Sequence, residues 1–160
     1  MADDGRVPSM TSGEEEEIKA FLVLNRLGIE NRRMAVALFS EGKNAREIVE
    51  RMGSEDLLKE LSISENAPSF NAEKEIELCH QKKIDFLTFT DTAYPAVLKE
   101  IADPPLLLYK KGNISENDRT AIAIVGTRHP SFYGRTQAKR FAQELAARGL
   151  TIVSGLARGD

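Results

Sequence analysis

The sequence is short of the residues that build cross-links and metal centres. It holds one cysteine, Cys79, which has no partner for an internal disulfide and no CxxC neighbour. Its two histidines, His80 and His129, are far apart in the chain, so a zinc site is not expected. No apolar run, Leu106–Leu108 and Ala121–Val125 included, approaches the length needed to cross a bilayer. The first ten residues, MADDGRVPSM, are acidic and lack the apolar core of a secretory signal. These absences lead to the expectation of a cytoplasmic protein that neither enters nor spans a membrane.

What is present is ordinary globular material: 160 residues, 41% hydrophobic and 29% charged, enough for one domain or two small ones. The net charge of −3 conceals an asymmetry. Residues 1–109 carry 13 Lys+Arg against 21 Asp+Glu, whereas residues 110–160 carry 9 against 4. Short windows fluctuate, but the pattern also suits a chain whose C-terminal part faces a polyanion.

Residues 1–13 read as a disordered lead-in. From Glu14 the pattern is helical, with Ile18, Phe21, Leu24 and Leu27 on one face and Gly28 as the stop. A second helix is predicted over about 32–39, with Met34, Leu38 and neighbouring apolar residues inward. A third follows the Asn44 cap and buries Ile48, Val49 and Met52 before Gly53. A fourth starts at Ser54 with Leu57, Leu58 and Leu61 inward. A loop with Pro68 leads to a helix over 71–82 that buries Ile76 and Cys79. Residues 14–82 are thus expected to form a helical N-terminal domain.

Residues 83–160 change character. Phe86–Phe89 and Leu106–Tyr109 are strand candidates, separated by Tyr94-Pro95, a short helix and Asp103-Pro104-Pro105. Ala121–Val125 reads as a strand buried on both faces. Gly134–Arg148 carries a helical stripe of Ala138, Phe141, Ala142 and Leu145, and Gly149 stops it. Leu150–Val153 reads as a second buried strand. The β–α–β order predicts parallel neighbouring strands. The fold class expected is therefore α/β: a small all-helical module followed by the first part of a Rossmann-like parallel sheet. Two strands and one helix cannot cover both faces of such a sheet, so either the two earlier strands join it or the unit is the front half of a longer domain; the expectation is a fragment.

Ligands of open parallel sheets sit beyond the carboxyl ends of the strands. Here those ends are Gly126-Thr127-Arg128 and Ser154-Gly155-Leu156-Ala157-Arg158-Gly159. Each loop offers glycine backbone that a ligand can approach closely and one arginine able to fork onto a phosphate. The helix that begins near Tyr133-Gly134 adds a positive N-terminus. The plainer reading is a pair of turns with solvated arginines. The dinucleotide fingerprint GxGxxG and the P-loop GxxxxGK[ST] are both absent. Ser154 lies in no GxSxG elbow, and no catalytic group, metal or cofactor is expected. In the helical part, Leu27-Gly28-Ile29 followed by Arg32-Arg33 resembles a helix-hairpin-helix turn, but Glu30 stands where a second glycine belongs. That turn reads either as a backbone-binding element or as packing.

The segments Asp91–Pro95, Asp103–Tyr109, Gly112, Ile124–Arg128, Tyr133-Gly134 and Ser154–Gly159 together resemble the DNA-processing protein A (DprA, or Smf) family over about residues 85–160. The resemblance implies a non-enzymatic, Rossmann-like, bacterial cytoplasmic protein. Such a protein binds single-stranded DNA in a basic pocket, protects it during natural transformation in competent cells and loads the recombinase RecA. It implies that Arg128 is a main phosphate contact. Gly126, Thr127, Tyr133, Gly134, Ser154, Gly155, Ala157, Arg158 and Gly159 would complete the pocket, and the full-length protein would form a homodimer. The family's Ser-Gly-x-Ala-x-Gly-Ile-Asp departs here to Arg158-Gly159-Asp160, and the chain ends where the family continues. A partial member that binds DNA weakly if at all is therefore expected. The alternatives are a nucleotide-binding or nucleotide-processing enzyme of a related Rossmann-like family, and a protein-interaction domain centred on the acidic helices.

Overall fold

The computed structural model describes residues 10–53 and 70–155. The chain divides into two compact units, Met1–Gly112 and Asn113–Asp160. The fold is mixed α and β, as expected. The predicted fourth helix with Leu57, Leu58 and Leu61, the Pro68 loop and residues 1–9 of the lead-in lie outside the described residues.

In the first unit, α1 spans Ser12–Leu24. It starts two residues before the predicted Glu14 because Thr11 and Glu14 form a capping box: the Glu14 N–H donates to Thr11 Oγ1 at 3.3 Å and the Thr11 N–H donates to Glu14 Oε2 at 2.7 Å. Its expected stripe is buried, with Phe21 and Leu24 almost completely enclosed. The helix ends at Leu24, earlier than predicted. Gly28 has an ordinary φ of −61° and caps the start of α2, Ile29–Ser40. Leu27 is still fully buried, from the connecting turn. In α2 the inward residues are Ala35 and Leu38, whereas Met34, expected inward, is exposed. Ala35 and Leu38, three residues apart, share the buried face of the helix.

Helix α3, Ala45–Met52, is capped by a second box between Asn44 and Glu47 and ends at Gly53, whose φ of +78° suits glycine. Helix α4, Ala72–Gln81, is capped by Asn71 and buries Ile76 and Cys79 as expected. Burial pushes the Cys79 thiol pKa up.

The two strand candidates that follow pair with each other. Strand β1, Asp85–Thr88, runs antiparallel to β2, Leu107–Lys110, in the register Asp85↔Lys110 to Thr88↔Leu107. Between them lies the short helix α5, Ala96–Lys99. This pair packs into the same core as the helices, through Leu87, Phe89, Tyr94, Leu106 and Leu107. A chain of rings, Phe21–Phe39–Phe89–Tyr94, with centroids 5.2, 5.9 and 5.5 Å apart, joins α1, α2 and the segment after β1. The Tyr94 hydroxyl donates to the Pro105 carbonyl at 2.7 Å, which gives the Tyr-Pro and Pro-Pro segments a shared structural purpose.

In the second unit a 3-10 turn, Glu116–Arg119, leads into β3, Ala121–Ala123. Helix α6, Phe132–Ala146, then returns the chain to β4, Thr151–Val153. The strands are parallel neighbours in the register Ala121↔Thr151 to Ala123↔Val153, as the β–α–β order predicts. The Ile124 N–H extends the ladder to the Val153 carbonyl at 2.9 Å. Gly149, at φ +84°, ends the helical segment at its expected place.

The expected burial of these strands is not observed. Ala121–Ala123 are exposed, as are Val125 at 82% and Val153 at 49%, and Phe141 projects from α6 at 56% exposure. A single helix shields one face of the pair, and none of the α6 residues is fully buried.

Candidate nucleic-acid interface

The predicted strand-end loops belong to the second unit. Gly126, Thr127 and Arg128 follow β3, while Ser154 and Gly155 follow β4. Because Ala123 and Val153 are register partners, the two loops leave the sheet side by side. Ala157, Arg158 and Gly159 lie outside the described residues.

The helix next to these loops is set by Ser131. Its Oγ accepts the Gly134 N–H at 3.1 Å, so α6 begins at Phe132, two residues before the predicted start. Tyr133 and Gly134 therefore lie inside the first turn. The Gly134 N–H is engaged by the cap, and the Arg135 N–H bonds the Ser131 carbonyl at 3.1 Å. The N–H groups of Phe132 and Tyr133 carry the positive end of the helix. Both side chains are largely exposed, at 80% and 70%.

Among the described residues, two concavities lie at the strand ends. A pocket of about 220 Å³ is bordered by Gly126, Thr127, Ser131 and Gly134. A groove of about 700 Å³ has Ile124, Ile152, Ala138 and Ala142 among its aliphatic lining. Arg128, Ser154, Arg135 and Lys139 give it polar and cationic edges. Arg128 and Ser154 were expected here; Tyr133 and Gly155 border neither concavity. Arg135 and Lys139 were not singled out in the sequence, although their i, i+4 spacing places them on the stripe of Ala138 and Ala142.

The charge state of the groove follows from which cations have partners. Arg140 is tied to Glu144, Nε to Oε1 at 2.7 Å, and Arg148 donates to the Glu144 carbonyl at 2.9 Å. Among the described residues, the side chains of Arg128, Arg135 and Lys139 make no hydrogen bond or ion pair. Their charge is available to an anion.

The helix-hairpin-helix-like turn of the first unit is used differently. Arg32 forks onto the Asp103 carboxylate, with Nε to Oδ1 at 2.9 Å, and also donates to the Leu27 carbonyl. Arg33 Nε donates to the Ala102 carbonyl at 3.1 Å. Arg32 holds the Asp103 carboxyl below its usual range. These contacts match the packing reading of that turn.

Sequence comparison adds identity to this geometry. Residues 85–160 match the family model described as DNA recombination-mediator protein A. The match begins at β1, within the first compact unit, and runs through the second. Protein Smf of Synechocystis is 41% identical over 88 residues, covering 52% of this chain and 22% of its own length. DNA processing protein DprA of Bacillus subtilis is 38% identical over 80 residues, covering 49% of this chain and 27% of its own. DNA processing protein DprA of Streptococcus pneumoniae is 38% identical over 78 residues, with the same shares. The aligned stretch thus spans about a quarter of each relative. No solved structure matches the chain significantly. Over residues 85–160, the chain is similar to the DNA recombination-mediator protein A family, the DprA/Smf proteins.

Proposed function

We propose that this chain binds single-stranded DNA and acts, as part of a cytoplasmic DNA-processing protein, in protecting incoming DNA and loading RecA onto it during transformation. In this reading β3–α6–β4 is the start of a Rossmann-like sheet, and a homodimer belongs to the full-length protein. The chain itself is a binding module and performs no catalysis. The reading rests on one observation: Arg128, with no partner among the described residues, borders an aliphatic groove at the ends of two parallel strands.

The chemistry favours a single strand. A guanidinium can take a phosphate through two parallel hydrogen bonds. Orphan N–H groups of α6 add positive potential nearby. Ile124 and Ile152 offer an apolar surface to bases that a duplex would keep stacked inside. Phosphate contact carries no base code, so sequence preference is slight.

The test is a titration of a fluorescent oligothymidylate at several salt concentrations, with Arg128→Ala alongside. The variant is expected to lose about 1–3 kcal/mol of binding and to show a shallower salt dependence. Unchanged binding would reduce the Gly-Thr-Arg loop to a turn. RecA delivery is tested separately, as faster RecA filament formation on DNA coated by a single-strand-binding protein.

A further inference from the structure

We infer that the bound strand continues from Arg128 along α6, with further backbone phosphates held at Arg135 and Lys139. This rests on the single-strand reading above and extends it beyond the two strand-end loops. Arg135 and Lys139 are exposed cations that border the same groove as Arg128. They stand one helical turn apart, a rise of about 6 Å, so they offer successive anchor points along one line. Ala138 and Ala142 line the groove beside them and keep its floor low. Arg140, the other cation in this part of α6, is occupied by Glu144 and does not border the groove. The helix therefore separates an available basic edge from a neutralised one.

The path has a consequence that the loops alone lack. Three phosphate contacts on a single strand give a log–log salt slope of about −2, and Arg128 alone gives about −0.7.

The experiment uses the full chain and a fluorescent oligothymidylate, titrated from low to moderate salt. It compares Arg135→Gln/Lys139→Gln, the charge-keeping Arg135→Lys/Lys139→Arg, Arg140→Gln and Arg128→Ala. Glutamine keeps much of each side chain's polar length, and helical circular dichroism verifies folding. The double glutamine variant is expected to bind about tenfold or more weakly and to lose about 1.4 from the slope. The charge-keeping pair retains the wild-type slope, and Arg140→Gln stays within about twofold of wild type. If the double glutamine variant matches wild type while Arg128→Ala loses binding, the strand takes another route and the inference fails alone. An equal loss in Arg140→Gln would mean diffuse helix charge and would also overturn it. If Arg128→Ala has no effect either, the single-strand reading itself falls.

Discussion

Asn25 gives the sharpest test of how the first unit is held together. Its side-chain Oδ1 accepts the N–H of Leu106 at 2.8 Å and of Leu107 at 3.3 Å, tying the end of α1 to the start of β2. Leu106 and Leu107 are 0% and 2% exposed, so no solvent replaces a lost acceptor. Asn25→Ala fits the backbone, since φ −67° and ψ −17° are ordinary helical values. Its cost is the two stranded donors. A buried orphaned donor costs about 1–3 kcal/mol, and the 3.3 Å bond is the weaker of the two, so the total is about 2–4 kcal/mol. With a urea slope of about 2 kcal/mol per molar, the midpoint falls by about 1–2 M. Labelling of Cys79, buried in α4, reports this unit specifically. Asn25→Asp keeps an acceptor and should fall much less. A shift below about 0.3 M for Ala at unchanged slope, or an Asp variant as weak as Ala, would refute the reasoning.

Two further outcomes follow from the same unit. Arg32 depresses the Asp103 pKa below its ordinary 3.8, so the charged pair stabilises the fold above that ordinary value and loses its effect as pH falls through the lowered one. Asp103→Asn is therefore less stable than wild type near neutrality, and urea midpoints of the two should converge in acid; a constant gap would contradict this. Cys79 is 6% exposed and its pKa is raised by burial, so a thiol reagent should label it slowly in the native protein and quickly in urea. Fast native labelling would mean that α4 does not pack as described.

The helix boundaries were legible where a polar cap announced them. Asn44 and Gly53 bracket α3, and the Ile76–Cys79 pair marks the inner face of α4. Thr11 and Ser131 carry the same signal, ahead of the acidic run and the glycine from which the two helices are expected to start. Met34 and Ala35 are neighbouring apolar residues, and it is Ala35 that takes the inward place beside Leu38. The strand pair β3–β4 was recognisable from its apolar runs and glycine stops. Its exposure was not, because periodicity describes a face without showing what covers it. In the interface, glycine and arginine at the strand ends drew attention to Arg128 and Ser154. Arg135 and Lys139 stayed hidden within an ordinary amphipathic helix, and their role as groove edges appears only once α6 lies against Ile124 and Ile152.

The central claim is that the strand ends of the second unit hold single-stranded DNA, and its most direct measurement is amide chemical-shift mapping of the labelled chain as a short oligothymidylate is added. The account predicts salt-sensitive shifts concentrated at Gly126–Arg128, Phe132–Lys139 and Ser154-Gly155, with the amides of α1 to α4 unmoved. Shifts centred on the Gly28–Arg33 turn, or none at any oligonucleotide concentration, would contradict it.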